Sequence, residues 1–202
     1  ATLDEVREGS RVVGLAGSSE GVTVALANGE KVVGDGLVWA AGAWTQYFAR
    51  HLGIKVPLIA GRGYSFQVAT PSPVVGPIYF PVERLACTPR GDGLRVGGTM
   101  ELADPEDALE PRRIDAMVAA GKGVLSGVDL GVRRESWVGP RPVTADGLPL
   151  IGKTRLDHVW IATGHGMWGV THGPVTGRLI ARQVMEGVTD SRLDVLDPLR
   201  ER

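Results

Sequence analysis

The chain has 202 residues, 43% hydrophobic and 22% charged, with 22 Lys and Arg against 23 Asp and Glu for a formal net charge of -1. That composition is globular, and the absence of a basic excess argues against a nucleic-acid binder. The single cysteine, Cys87, excludes an intramolecular disulfide framework, and neither an apolar run of roughly 18 residues nor a charged-then-apolar leader is present.

Residues 11–40 open as an antiparallel ribbon. A short apolar run at 11–15, a Gly/Ser turn at 17–21 and a period-two stretch at 22–26 lead to Asn28-Gly29, a strong short hairpin signal, and a returning strand at 31–33. Residues 36–40 are apolar on both faces and predict a buried, parallel strand. The small residues Ala41, Gly42 and Ala43 then let the backbone approach something closely, and a short helix runs to Leu52, stopped by Gly53.

Prolines break residues 57–100 into short strands, best placed at 63–69, 77–80, 85–88 and 93–98, with a hairpin turn at 90–93. This reads as an antiparallel sheet forming a second domain. Pro111 starts a helix whose apolar residues Ile114, Met117, Val118 and Val124 carry it to Leu125, although Gly121 and Gly123 weaken its end. A strand at 135–138 leads into Gly139-Pro140-Arg141-Pro142, and a buried strand at 158–162 precedes a glycine-rich stretch. Pro174 opens a last helix that Gly187 ends, and residues 188–202 read as a charged, frayed tail. The expected parts are therefore residues 1–56, 57–136, 137–187 and the tail 188–202.

The sharpest local pattern is Gly164-His165-Gly166-Met167-Trp168-Gly169, a G-x-G-x-x-G between a strand and a helix. It does not read as a dinucleotide cradle. Too little chain follows for a second strand and a ribose-binding acid, and Met167 and Trp168 are bulky for a phosphate loop. Two readings stay open: a chance match in a chain with 29 glycines, or a turn that offers backbone N–H groups and a helix dipole to another electron-rich atom. Arg141, stiffened by two prolines, suits a bidentate grip on a carboxylate; the plain alternative is an exposed turn arginine. His165 is either a general base or a residue tolerating an unusual backbone angle. Asp146 and Cys87 read as structural, and the other histidines show no metal-ligand spacing, so no metal is expected.

Several ordered motifs together resemble the FAD-dependent D-amino-acid oxidase superfamily, nearest its bacterial D-amino-acid dehydrogenase and glycine/sarcosine oxidase branches. They are Leu37-Val38-Trp39-Ala40-Ala41-Gly42-Ala43-Trp44, Gly61-Arg62-Gly63-Tyr64-Ser65 read as a turn, 95–101, 110–113, 139–152 and 162–178. The resemblance implies an α/β (α+β) fold: part of a Rossmann-like FAD domain with an inserted antiparallel-sheet substrate domain. It implies FAD as cofactor. Ala41, Gly42, Trp44, Gly139 and the run Gly164, His165, Gly166, Met167, Trp168, Gly169, Val170 and Thr171 would lie along it, with Val12 at its adenine end.

Arg141 would clamp the substrate carboxylate, Met167 and Trp168 would border the substrate, and no side-chain base is needed. The implied reaction moves a hydride from the Cα of a D-amino acid to flavin N5; the imino acid then hydrolyses to a keto acid and ammonia. The alternatives are a glycine/sarcosine-type amine oxidase and a non-catalytic assembly module without flavin. The implied partners are an amino acid or amine, a quinone or O2 as electron acceptor, and the family's N-terminal FAD-binding half, whose βαβ unit has no counterpart here. The expected location is the cytoplasm or the periphery of the inner membrane, and no nucleic acid is expected.

Overall fold

The computed structural model describes residues 5–72 and 74–201. They form a mixed α/β fold in two compact units, one of residues 1–58 and 144–202, the other of residues 59–143.

In the first unit, β1 (Val12–Ser18), β2 (Gly21–Leu26) and β3 (Lys31–Gly34) form an antiparallel three-stranded ribbon. Asn28 tightens the β2–β3 turn by accepting from the Glu30 N–H at 3.0 Å. β4 (Leu37–Trp39) pairs in parallel with β11 (Val159–Thr163), and β10 (Leu150–Lys153) flanks β11 antiparallel. β4 is parallel, as its apolar run predicts, but it is not buried on both faces. It lies at the edge of its sheet and Val38 is 42% exposed. Trp39 faces inward, donates from its indole to the buried Thr45 Oγ1 at 3.0 Å and packs on the Phe48 ring.

A 3-10 helix (Gly42–Tyr47) and the one-turn α1 (Ala49–Leu52) follow β4, and Gly53 ends α1 in the left-handed region at φ +81. The core of this unit gathers Leu15, Val22, Trp39, Leu52, Leu150 and Ile161.

The second unit holds β5 (Leu58–Ala69), β6 (Ile78–Phe80), β7 (Leu85–Arg90), β8 (Gly93–Ala103) and β9 (Arg134–Thr144) in the order β6-β7-β8-β5-β9. β5 begins five residues before the predicted 63, so residues 61–65 lie within a strand and not in a turn. Alternation sends Tyr64, Phe66 and Val68 to one face, where they bury against Leu85, Cys87, Val96, Ile114 and Met117. α2 (Pro111–Gly121) supplies the last two and ends at Gly121, four residues short of the predicted Leu125. Glu110 caps α2 by accepting from the Arg112 N–H. β9 runs unbroken through residue 137, so Gly139 and Arg141 sit in the sheet unit and not after a return to the first unit.

Two further expectations change. The last helix, α3 (Gly169–Glu186), starts five residues before Pro174, which lies inside it; a proline there removes one N–H donor without stopping a helix that Thr176, Leu179 and Ile180 bury. The expected frayed tail, 188–202, is instead ordered over its described residues 188–201. Ser191–Leu196 is a 3-10 helix whose Leu193 buries against Ile151, Leu179 and Ile180. Arg200 grips Asp146 with bonds of 2.9 and 3.0 Å and donates to the carbonyls of Leu148, Pro149 and Asp197. Among the described residues no helix is long and apolar enough to cross a membrane.

Arg200 and Asp146 keep only 8% and 12% of their side-chain surface exposed. Arg200→Ala takes the cation from a buried carboxylate and a donor from three carbonyls, and is expected to cost about 3 kcal/mol of unfolding free energy, read as a lower urea midpoint at unchanged slope.

Candidate active site

Arg141 occupies the middle of β9 with its guanidinium laid directly over Gly63 of β5. A Cβ on Gly63 would stand 1.4 Å from Arg141 Nη1, and a Cβ on Gly61 would stand 2.7 Å from the Val143 side chain. Glycine inside a strand marks a close approach, and here the two glycines let the β9 side chains lie flat on the sheet. Arg141 is half-buried, and that burial pushes its pKa below the usual value for a guanidinium. It remains a cation at neutral pH. Among the described residues no hydrogen bond or ion pair engages its side chain. A partly desolvated guanidinium without an acceptor is free to take a carboxylate.

The opposite face of β5 braces this floor. Arg62 is buried, ion-pairs with Glu101 at 3.3 Å and donates to the carbonyls of Asp107 and Ala108 at 2.6 and 2.8 Å. Tyr64 donates its hydroxyl to the same Glu101, Arg113 Nε reaches it at 2.6 Å, and the Arg113 guanidinium lies over the Tyr64 ring. The bond from Tyr64 holds Glu101 below the ordinary carboxylate range, helped by Arg113 and Arg62, while burial and that same bond push the Tyr64 phenol up. Gly139 is buried in β9 with the Trp137 ring folded over it, 2.1 Å from where a Cβ would sit. Trp137 itself is 56% exposed.

In the other unit, two turns meet where β4 and β11 end. Thr163, at the end of β11, donates to the Gly42 carbonyl at 3.1 Å. Gly42 and Gly166 both hold left-handed φ, +55 and +53, and open space lies where each Cβ would be. Residues Gly166–Trp168 form a single 3-10 turn that continues into α3. Neither helix start has a side-chain cap, so the first-turn N–H groups of an 18-residue helix have no side-chain acceptor. Met167, Trp168 and Val170 are exposed, as are Gly169 and Thr171, while Gly164 is buried.

The His165 ring bonds the Thr176 hydroxyl at 2.9 Å. Burial, with His172 nearby, lowers its pKa. Trp168 stacks on His172.

Of the expected site residues, Ala41, Gly42 and Trp44 are thus joined to the 164–171 turn in one unit. Val12 lies in the ribbon of that same unit, half-buried at the start of β1, and no hydrogen bond ties it to those turns. Gly139 and Arg141 belong to the sheet unit. The sequence reading missed Gly63 as the floor under Arg141, and Trp137 as the exposed aromatic beside it. An isolated Gly-x-Gly inside a strand is the signal that points to the first.

Residues 5–183 match the family described as DAO, FAD dependent oxidoreductase. The chain is 37% identical over 180 residues to a D-amino acid dehydrogenase of Xanthobacter autotrophicus, covering 87% of this chain and 42% of that protein. It is 34% identical over 180 residues to a D-amino acid dehydrogenase of Methylobacterium radiotolerans, covering 87% of this chain and 43% of that protein. The chain therefore spans less than half the length of these relatives. A crystal structure of glycine oxidase from Geobacillus kaustophilus shares the fold at TM-score 0.83 and 22% identity, over 96% of this chain and 52% of that one. With the family match running across most of its length, the chain belongs to the DAO family of FAD-dependent oxidoreductases.

Proposed function

We propose that this chain forms the substrate-clamping sheet and the flavin-facing turns of an FAD-dependent D-amino-acid dehydrogenase. The rest of the cofactor site would come from the portion of the relatives' length that this chain does not span. The observation that carries the reading is Arg141, a half-buried guanidinium lying on Gly63 with no partner among the described residues.

The residues present fit a flavin. Gly42 and Gly166 turn open, Cβ-free backbone outward, and the uncapped start of α3 offers N–H groups to an electron-rich ring edge. Ala41, Gly42 and Trp44 with residues 164–171 would hold the ring, while Val12 and Gly139 are assigned to it on the family resemblance alone. Bound FAD would supply the hydride acceptor. Arg141 binds the substrate carboxylate and so fixes which hydrogen on the α-carbon is presented. Met167 and Trp168 stand exposed beside the turn and are assigned to the substrate on the family resemblance alone. His165 stays neutral at pH 7 and holds the turn against Thr176, so it serves as a positioning residue and not as a base.

The test uses FAD-loaded protein containing this chain, assayed with D-alanine, glycine and sarcosine, with dye reduction and H2O2 followed separately. Oxidation of D-alanine with dye as acceptor and little H2O2 is the expected result; preference for glycine or sarcosine with H2O2 formation would instead make it an amine oxidase. Arg141→Ala should raise KM for D-alanine roughly 30- to 1000-fold, the about 2–4 kcal/mol of a lost charge-assisted clamp, with the flavin spectrum unchanged. An unchanged KM removes Arg141 from the site.

Gly63→Ala should raise KM in the same direction by displacing the Arg141 tip. Because the atom it meets ends a flexible side chain, Tm should fall by only a few degrees, about 1 kcal/mol or less.

His165 also sets a pH dependence. Its folded pKa lies below its unfolded value of about 6.5. On acidification the unfolded chain therefore takes up a proton first, and folding stability falls as pH drops below about 6.5. His165→Gln should flatten that part of the stability profile measured by urea unfolding between pH 7.5 and pH 5.

A further inference from the structure

The face of the sheet that carries Arg141 also holds an open cavity of about 540 Å3, lined by Arg90, Arg95, Glu135, Ser136 and Trp137. Its charges are two guanidiniums against one carboxylate. Glu135 bridges them, at 3.0 Å from Arg95 Nη2 and 3.6 Å from Arg90 Nη1, from a backbone held at φ +50, in the left-handed region. Arg95 Nη1 also donates to Ser65 Oγ at 2.9 Å. Two polar atoms remain buried without partners: Arg95 Nε, and Oε1 of Gln67, which lies opposite Arg95 in the β5–β8 ladder. A buried donor without an acceptor is costly in a finished core and useful in a binding site.

The spacing to Arg141 follows from the strand. Arg141 rests on Gly63, and Arg95 bonds Ser65. Those residues are two apart on β5, hence on the same face, with anchor points about 7 Å apart. The Trp137 ring lies over Gly139, two residues from Arg141 on β9, and also lines the cavity. A ligand whose first carboxylate sits on Arg141 therefore has a second guanidinium pair within reach along one face, walled by an indole.

We propose that this cavity is a second acid-binding subsite, and that the substrate is a dicarboxylic amino acid whose side-chain carboxylate is taken by Arg95 and Arg90. The proposal rests on the reading that Arg141 holds the α-carboxylate. Glu135, whose side chain is 54% exposed, acts as the resident counter-ion that the ligand carboxylate replaces. The exchange leaves neither guanidinium uncompensated, so no net charge is buried on binding.

The test is calorimetric titration of the FAD-loaded protein containing this chain with glutarate and, separately, with valerate, which lacks the second carboxylate. Glutarate is expected to bind roughly tenfold or more tighter than valerate, one charge-assisted contact's worth. Arg95→Gln and the more exposed Arg90→Gln should each bring that ratio close to one. Glu135→Gln should raise it, because the competing carboxylate is gone; a purely structural role for these residues would leave the ratio unmoved in every variant that folds.

A ratio near one in the unaltered protein, or a ratio untouched by both arginine variants, overturns the subsite. If D-alanine is still oxidised through Arg141, only the subsite has failed. If neither acid binds and D-alanine is not oxidised, both readings fall.

Discussion

The sheet unit is organised around a missing atom. Because Gly63 has no Cβ, a guanidinium from β9 can lie flat on the middle of β5, where any side chain would stand 1.4 Å from Arg141 Nη1. A half-buried guanidinium is held at a defined place only if the strand beneath it cannot shift, and the other face of β5 supplies that rigidity. Arg62, Tyr64 and Arg113 all converge on Glu101, so the residues either side of Gly63 are tied to β8 and α2 by charge-assisted bonds. A carboxylate shared by this many donors is stable only while all of them stay in place, so the network resists piecemeal loosening. The position of Arg141 thus rests on a glycine on one face and a buried ion network on the other.

The other unit uses backbone instead of side chains. Its two turns, at 41–44 and 164–169, are drawn together because β4 and β11 run parallel and so end on the same side. Thr163 then locks one turn to the other through the Gly42 carbonyl. Left-handed glycines keep both turns free of Cβ atoms where the backbone faces open space, and the start of α3 adds uncapped N–H groups there. Side-chain polarity at this place is low: Met167, Trp168 and Val170 are exposed apolar residues. Such a surface suits a flat, partly apolar ring whose charge is met by backbone dipoles. The sheet unit, by contrast, presents charge: the half-buried guanidinium of Arg141 lies on Gly63.

Much of the local structure could be read directly. The Asn28-Gly29 hairpin, the proline start of α2 and the glycine stop at 187 follow from turn and cap chemistry that acts within a few residues. Arg141 and the 164–169 turn stood out for the same reason, since paired prolines and spaced glycines are local signals. The boundaries failed where a distant partner decides. Pro174 marks a helix start by its own chemistry, but the helix already begins at Gly169, and the turn before it is held by the His165 bond to Thr176, eleven residues on. The charged segment 188–202 looks like a tail until Leu193 finds Ile151, and Arg200 finds Asp146 some fifty positions away in the chain.

By itself the sequence determined most element types and the family, and it singled out Arg141 and the 164–169 turn, because propensity, capping and ordered motifs are properties of neighbours in the chain. Only the tertiary structure decided that residues 61–65 are strand and not turn, that Gly63 is the seat of Arg141, and that Arg95, Glu135 and Trp137 line one cavity. Each of those facts depends on strand order, β8 against β5 against β9. Strand order depends on pairings between residues far apart in the chain, which no window of adjacent residues records.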